Sequence, residues 1–544
     1  MLRRLFAGQQ TSILSAAFVI AAMVAASRVL GLIRNRLLTD RFSAIDLDPY
    51  FAAFRIPNFI FEVLVIGTVS VAFIPVFTSF ISRHKKQEAY ELASSAISIA
   101  LVGAGVFSLI FLIFTPVIVK LIAPGFSSDK HELMTSFVRL LIIFQVFPLV
   151  VGNFLTGIMQ SFKRFLVPAL APVVYNVGII IGILFLTPVA GLYAPVYGVI
   201  LGAFLFMLIH LPFLSGVGYQ YKPRLDFKSA GIKKIGKLML PRTIAVAVSQ
   251  IDATIDVMLS SVIGAGSVTI FTLAQQLQLV PIGLFSMPIA QAALPTLSEY
   301  VAQGKLERFK ESFLTSLHQI WFLVMPASVF LMVMNVPVVR LVYGADQFDW
   351  PSTSLTGDTL TYFAISLFAQ GAIQILSRAF FALQDSKTPV VFAIASILFN
   401  SILSIIFVLG MKVDVSALGL STSIASILHA GILLYALDKR VGGFDRRRLI
   451  IPFIKITAAA VLMGIILRLA LELQEDLIFD TTRTLSLIML TGVASSIGLF
   501  TYIFFAWFFN IEEVILFYRF AKKLTRVKDI LFESSREVSN ERPT

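Results

Sequence analysis

The chain has 544 residues, 57% hydrophobic and 14% charged, with a mean hydropathy of +0.88 and a formal net charge of +13. A soluble domain carries roughly 25% charged residues, so the balance is that of a polytopic membrane protein, and the basic excess reads as cytoplasmic loops facing anionic lipid rather than a nucleic-acid surface. With no cysteine in the sequence, disulfides, thiolate catalysis and cysteine-based metal sites are excluded, and without a GxxxxGK[ST] loop the chain is not expected to hydrolyse ATP.

Arg3 and Arg4 followed by an apolar run and Ala25-Ala26-Ser27 resemble a signal peptide, but the run is long enough to span a bilayer and more spans follow, so cleavage is not expected. Apolar runs long enough to cross lie near 13–33, 50–81, 92–122, 133–160, 166–187, 191–217 and 235–263. Further runs lie near 268–300, 312–342, 359–383, 388–410, 415–437, 449–472 and 483–509. The expected fold is therefore an all-α polytopic membrane protein of about fourteen transmembrane helices.

Loop charge supports an even count. Lys85 and Lys86 follow the second span, Lys163 and Arg164 the fourth, Lys222 to Lys234 the sixth, and Lys305 to Lys310 the eighth. Lys387 follows the tenth, Lys439 to Arg448 the twelfth, and Arg519 to Arg526 the last. The intervening loops are neutral or acidic, which is the positive-inside pattern with both termini cytoplasmic. The 34–48 segment is the exception, because Arg34, Arg36 and Arg41 stand there beside Asp40, Asp46 and Asp48.

Two stretches repeat. Ala72 to Phe80 and Ala292 to Tyr300 share the order Ala, apolar, apolar, Pro, any, apolar, Ser/Thr, any, aromatic, with Pro75 and Pro295 offset by 220 positions. Asn176 and Asn400, each on a span opening with proline, are offset by 224. A duplicated six-helix unit predicts two lobes in parallel repeat, residues 1–234 and 235–440, with two extra helices in 441–510 and a cytoplasmic tail in 511–544. Proline crowds spans two and eight at Pro57, Pro75, Pro281, Pro288 and Pro295, which predicts bends acting either as hinges or as static curvature. Gly178 and Gly182 form a GxxxG pair that signals close helix packing.

Charges inside spans cost a few kcal/mol each and are functional candidates unless they snorkel or pair. Arg28 lies within the first span, Arg34 near its end, Arg55 and Glu62 in the second, and Arg242, Asp252 and Asp256 in the seventh.

Several polar motifs resemble those of the lipid II flippase family, known as MurJ or MviN. Ser27-Arg28-Val29-Leu30-Gly31 with Arg34 is similar to its first-helix signature, and Phe51 to Asn58 (FAAFRIPN) to the stretch opening its second helix. Ala123-Pro124-Gly125-Phe126, Pro168 to Asn176, and Arg378 to Pro389 (RAFFALQDSKTP) resemble three further family motifs. The resemblance runs from about residue 12 to about residue 510.

It implies a member of the multidrug/oligosaccharidyl-lipid/polysaccharide exporter superfamily with a cationic cavity between two lobes and a lipid-tail groove beside the last two helices. The implied activity is movement of lipid II, the polyprenyl-pyrophosphate-linked peptidoglycan precursor, from the cytoplasmic to the periplasmic leaflet of the bacterial inner membrane by alternating access. The implied substrate-binding residues are Arg28, Arg34, Asp48 and Arg55. Where the family carries further cavity arginines this chain has Phe61-Glu62 and, on the eighth span, Gln276; Arg242 is the expected substitute. A sodium site of the kind implied for some members would use Asp256, Asn400, Ser404 and Thr422. Expected partners are lipid II and membrane lipids, with no nucleic acid, and the chain is expected to act as a monomer and not as an enzyme. Two alternatives stay open: export of another polyprenyl-linked glycan or a drug, and a non-transporting scaffold for cell-wall machinery.

Overall fold

The computed structural model describes residues 13–66, 69–477 and 484–514, and among these there are helices and connecting turns but no strand. Each of the fourteen predicted apolar runs falls on helix. Among the described residues, ten helical segments are long and apolar enough to cross a membrane, and eleven if the pair Trp350–Ala364 and Leu367–Ala382, bent by 45°, is one span. One of the ten, Leu166–Leu214, holds two of the predicted runs. Apolar side chains such as Ile113, Val117, Leu121, Phe185 and Phe500 remain exposed on these helices, as expected where the solvent is hydrocarbon.

The helices pack as two compact units. The first comprises the described parts of Met1–Leu277, Val339–Thr359 and Ala393–Thr422. In it the Ile13–Arg41 helix lies on Leu166–Ile181, which lies on Ala194–Leu208. This last contact is a close one: a Cβ on Gly178 would stand 2.4 Å from the Gly202 Cα, and one on Gly182 would stand 2.3 Å from the Gly198 Cα. The GxxxG pair thus allows two backbones to touch.

The 34–48 segment is not a free loop. The first helix continues to Arg41, and a second begins at Ala44 with Ser43 as its N-cap, the Ser43 hydroxyl accepting from the Asp46 N–H while the Asp46 carboxylate accepts from the Ser43 N–H. This reciprocal pair is a capping box. Five residues per segment at Glu62–Ile66 and Val69–Phe73 form wide π-turns ahead of Pro75. Such turns absorb the backbone groups freed around a proline.

An element that hydropathy does not reveal is the segment from Tyr219 to Ser229, which is strapped to the polar end of the Lys86–Ile122 helix. Asp226 N–H donates to the Ser95 hydroxyl at 2.9 Å, and the Ser98 hydroxyl meets the Tyr221 hydroxyl at 2.8 Å. The Asp226 carboxylate then accepts from the N–H groups of Lys228 and Ser229, at the start of the Ala230–Ile263 helix.

The second unit comprises the described parts of Gln278–Val338, Leu360–Phe392 and Ser423–Thr544. Leu306–Val333 packs on both Leu367–Ala382 and Arg446–Leu477, and the latter pairs with Thr484–Phe508. Met334, Leu467, Leu471, Leu490 and Ala494 form a buried apolar cluster there. The bend at Ile365-Ser366 is satisfied from neighbouring helices: the Ser328 hydroxyl donates to the Ala364 carbonyl, and the Ser423 hydroxyl to the Tyr362 carbonyl. A π-turn at Ile282–Ser286 sits between Pro281 and Pro288.

Asp385, in the turn before the Lys387–Ile405 helix, accepts from Thr388 N–H at 3.0 Å, the Thr388 hydroxyl at 2.7 Å and Lys387 N–H at 3.2 Å. The Thr388 N–H is the main cause that holds its carboxyl below the usual range, and the Arg440 charge adds to it. Asp385→Asn keeps an acceptor oxygen but removes the charge at the helix start, and is expected to cost about 0.3–1 kcal/mol. Because the folded-state pKa is depressed, this contribution is present above the unfolded carboxyl value of about 3.9 and is lost as pH falls through the folded value. Melting of parent and variant should therefore converge on acidification, and a gap that persists at the lowest pH would defeat the reading.

Candidate functional site

Four sets of polar side chains lie inside the first unit. The first is centred on Arg34. Its Nε and Nη2 donate to the Asn35 Oδ1 at 3.1 and 2.9 Å, and its Nη1 to the Asn176 Oδ1 at 3.2 Å. Each amide is oriented by its other end. Asn35 Nδ2 donates to the Gln276 Oε1, while Asn176 Nδ2 donates to the Ser27 hydroxyl, the Ser27 carbonyl and the Pro172 carbonyl. The phenols of Tyr50, Tyr175 and Tyr343 are within electrostatic reach of the guanidinium. Two Arg34 neighbours in the helix hold the far end of the set, with Arg36 donating to the Leu341 carbonyl at 2.8 Å and Thr39 to the Tyr343 carbonyl at 2.8 Å.

The second set is a pocket of about 390 Å³ beside the first, whose walls include Arg28, Ser27, Gln160, Phe165, Pro168 and Pro172. Ser27 and Pro172 serve both sets, as pocket wall and as anchor of Asn176. Arg28 is exposed and, among the described residues, has no hydrogen bond or ion pair.

The third set surrounds Asp48, which is 0% exposed. Lys130 pairs with it at 2.9 Å. The Gly266 N–H, Thr269 N–H and Thr269 hydroxyl donate to it at 2.6, 3.0 and 3.1 Å. Asp48 thus closes the start of the Ser267–Pro281 helix, where a carboxylate meets free N–H groups and the positive end of the helix dipole. Its acceptor capacity is filled by protein. Beside it, Gly125 of the Ala-Pro-Gly-Phe motif donates its N–H to the Ser261 hydroxyl at 3.3 Å, and a Cβ there would stand 2.0 Å from the Ser261 carbonyl oxygen, so only glycine fits.

The fourth set is a charge cluster around Arg55, whose charged neighbours are Asp256 and Glu62. Gln250 donates to the Glu62 carboxylate. Asp252, one turn before Asp256, accepts from Asn400 at 3.3 Å and Ser401 at 3.4 Å. Three buried atoms here have no hydrogen-bond partner: Arg55 Nε, Asp256 Oδ1 and Asn400 Oδ1.

The expected residues are thus distributed. Arg34 and Gln276 meet through Asn35; Arg28 stands on the adjoining pocket wall; Arg55 joins Asp256 rather than Arg34; Asp48 forms a separate clamp. The side chain of Arg242 lies outside the described residues. Of the expected sodium ligands, Asp256 and Asn400 present free acceptor oxygens, Ser404 shares a proton with Ser421 at 2.7 Å, and Thr422 donates to the Leu418 carbonyl at 2.8 Å. The oxygens of both hydroxyls keep lone pairs, so the donor set fits a hard monovalent cation. Sequence reasoning missed Lys130, Asn35 and the three tyrosines, because each acts on a partner far away in the chain or, for Asn35, is an ordinary polar residue between two arginines.

Comparison with known proteins gives the family and the fold. The family model described as lipid II flippase MurJ matches residues 42–487. The lipid II flippase MurJ of Burkholderia cenocepacia is 27% identical over 423 residues, covering 76% of this chain and 81% of its own. The probable lipid II flippases MurJ of Bdellovibrio bacteriovorus and Thermotoga maritima are each 28% identical, covering 88% and 90% of this chain and 91% and 95% of theirs. Among solved structures, an inward closed lipid II flippase MurJ shares the fold with a TM-score of 0.76 at 24% identity, over 91% of this chain and all (100%) of that one. An inward-facing multidrug transporter of the MATE family shares it with a TM-score of 0.64 at 16% identity, over 76% of this chain and 94% of its own. With its polytopic helical fold and a match across most of its length, the chain belongs to the MurJ lipid II flippase family.

Proposed function

We propose that the chain carries lipid II from the cytoplasmic to the periplasmic leaflet by alternating access, without a chemical step of its own. The observation that carries this reading is Arg28, a guanidinium within the first helix, standing unpaired on the wall of an open pocket next to the Arg34 set. A pyrophosphate and a polar glycopeptide do not cross hydrocarbon unaided, and a guanidinium offers a permanent forked donor set for phosphate oxygens. Outward movement of two negative charges with the inside negative is favourable by roughly 4–5 kcal/mol at 100 mV, which agrees with the missing ATP-binding loop.

The alternation of loop charge supports an inner-membrane protein with both termini cytoplasmic. We take residues 1–234 and 235–440 as the two lobes, 441–510 as the part that guides the lipid tail, and the monomer as the working unit, since the repeat supplies both lobes from one chain. The free oxygens of Asp256 and Asn400 support sodium as a bound ion, held with Ser404 and Thr422.

The test is rescue of a bacterium depleted of its own lipid II flippase, with membrane abundance checked by immunoblot. Rescue by the parent and not by Arg28→Ala is the expected result. Failure of the parent at normal abundance would overturn the reading and favour export of a different polyprenyl-linked glycan.

A further inference from the structure

The partly buried cations of the first unit are treated in two ways. Lys130 is neutralised by Asp48, and Arg55 faces Asp256 and Glu62. Arg34 is different. Its three hydrogen bonds all go to neutral amide oxygens, and among the described residues it has no carboxylate partner. A guanidinium has five N–H groups, so two remain on the Nη atoms together with the whole positive charge.

Holding a long, flexible cation in one place normally recruits a carboxylate, which would also cancel the charge. Here the amides supply the geometry and leave the charge intact. Their orientation is fixed from outside: Gln276 takes the Asn35 Nδ2 hydrogen, and Ser27 with Pro172 takes those of Asn176, so both Oδ1 atoms must point at Arg34. Asn35 is 1% exposed and Asn176 7%, so water does not compete for these bonds.

We infer that Asn35, Asn176 and Gln276 form a charge-neutral amide clamp that positions Arg34 while reserving its charge for the phosphate groups of the substrate. They are positioning residues, acting through Arg34, and the inference rests on the proposed function for the identity of the ligand. Within the clamp Gln276 orients the amide that in turn orients the arginine.

The test exchanges amide for acid. Asn35→Asp retains the acceptor for Arg34, and Gln276 accommodates it by turning its own amide so that Nε2 donates. Gln276→Glu retains the acceptor for Asn35 and places a negative charge one residue from Arg34. Purified full-length variants are compared for thermal stability and for binding of lipid II and of inorganic pyrophosphate, each alone and combined with Arg34→Ala. Expected are an unchanged or raised Tm for Asn35→Asp, a loss of affinity of about ten-fold or more, a smaller loss for Gln276→Glu, and no further loss from either once Arg34 is alanine. A purely structural role predicts the reverse, with affinity following Tm. Affinity within two-fold of the parent in both variants, or losses that persist in the Arg34→Ala background, would overturn the clamp while leaving lipid II binding intact. A parent that ignores lipid II but binds pyrophosphate with this variant pattern keeps the clamp and removes the substrate; binding of neither removes both.

Discussion

Asp48→Ala is expected to destabilise the protein by about 3–5 kcal/mol, the range found when one partner of a buried ion pair is removed. The substitution leaves Lys130, with only 20% of its side chain exposed, without its carboxylate partner. It also strips the acceptor from Gly266 N–H, Thr269 N–H and the Thr269 hydroxyl, so the Ser267–Pro281 helix loses its start. Asp48→Asn keeps one oxygen and is expected to lose less. Lys130→Met alone leaves the carboxylate its three N–H and O–H donors and should fall between the two. Intrinsic tryptophan fluorescence during melting in detergent provides the readout, since the chain has three tryptophans and no cysteine for thiol dyes. An Asp48→Ala protein that melts within a degree of the parent would show that the clamp is not formed. The contacts of Asp48 join two helix starts and Lys130, a structural part beside the substrate-binding one that the family resemblance implies.

That contrast shows what the chain discloses before its structure. Hydropathy placed the apolar runs on helices, because in a bilayer each span must satisfy its own backbone and the pattern is written locally. Irregular backbone was legible at Pro75 and Pro281, where π-turns stand, and so was the close approach of two helices at Gly178 and Gly182; the 45° bend at Ile365-Ser366 was not. The charged residues were legible as costly, but not their partners. Nothing near Asp48 in the sequence points to Lys130 or to the helix beginning at Ser267, and nothing near Arg34 points to Asn176 or Gln276. Whether a partly buried arginine faces carboxylates, as Arg55 does, or neutral amides, as Arg34 does, depends in part on residues more than a hundred positions away, Asp256 for the first and Asn176 for the second. The 34–48 segment stood out because Arg34, Arg36 and Arg41 break the alternation of loop charge; in the structure it is mostly helix, and Asn35, Thr39 and Asp48 turn inward.

The Arg55 cluster yields the second large effect. Arg55→Met is expected to destabilise the protein by about 1–3 kcal/mol, since it removes the cation that faces the buried Asp256 and the half-buried Glu62, with Asp252 one turn away on the same helix face. Asp256→Asn removes a charge that also repels Asp252, so its cost should be smaller. In the double variant the loss from Arg55→Met should be partly recovered, with a coupling of roughly 1–3 kcal/mol; strictly additive losses would show that the two side chains do not interact. The same variants test the sodium reading. Asp256 is 4% exposed and keeps Oδ1 free while facing Arg55, so it has capacity for a second positive partner. Sodium chloride should then raise the melting temperature of the parent above its value in choline chloride, by an increment approaching about 2.7 kcal/mol at a hundred-fold excess over Kd. That increment should vanish in Asp256→Asn and shrink in Asn400→Ala. If sodium and choline give the same melting temperature in the parent, Asp256 serves Arg55 alone, and the membrane potential acting on the substrate's own charge becomes the drive for transport.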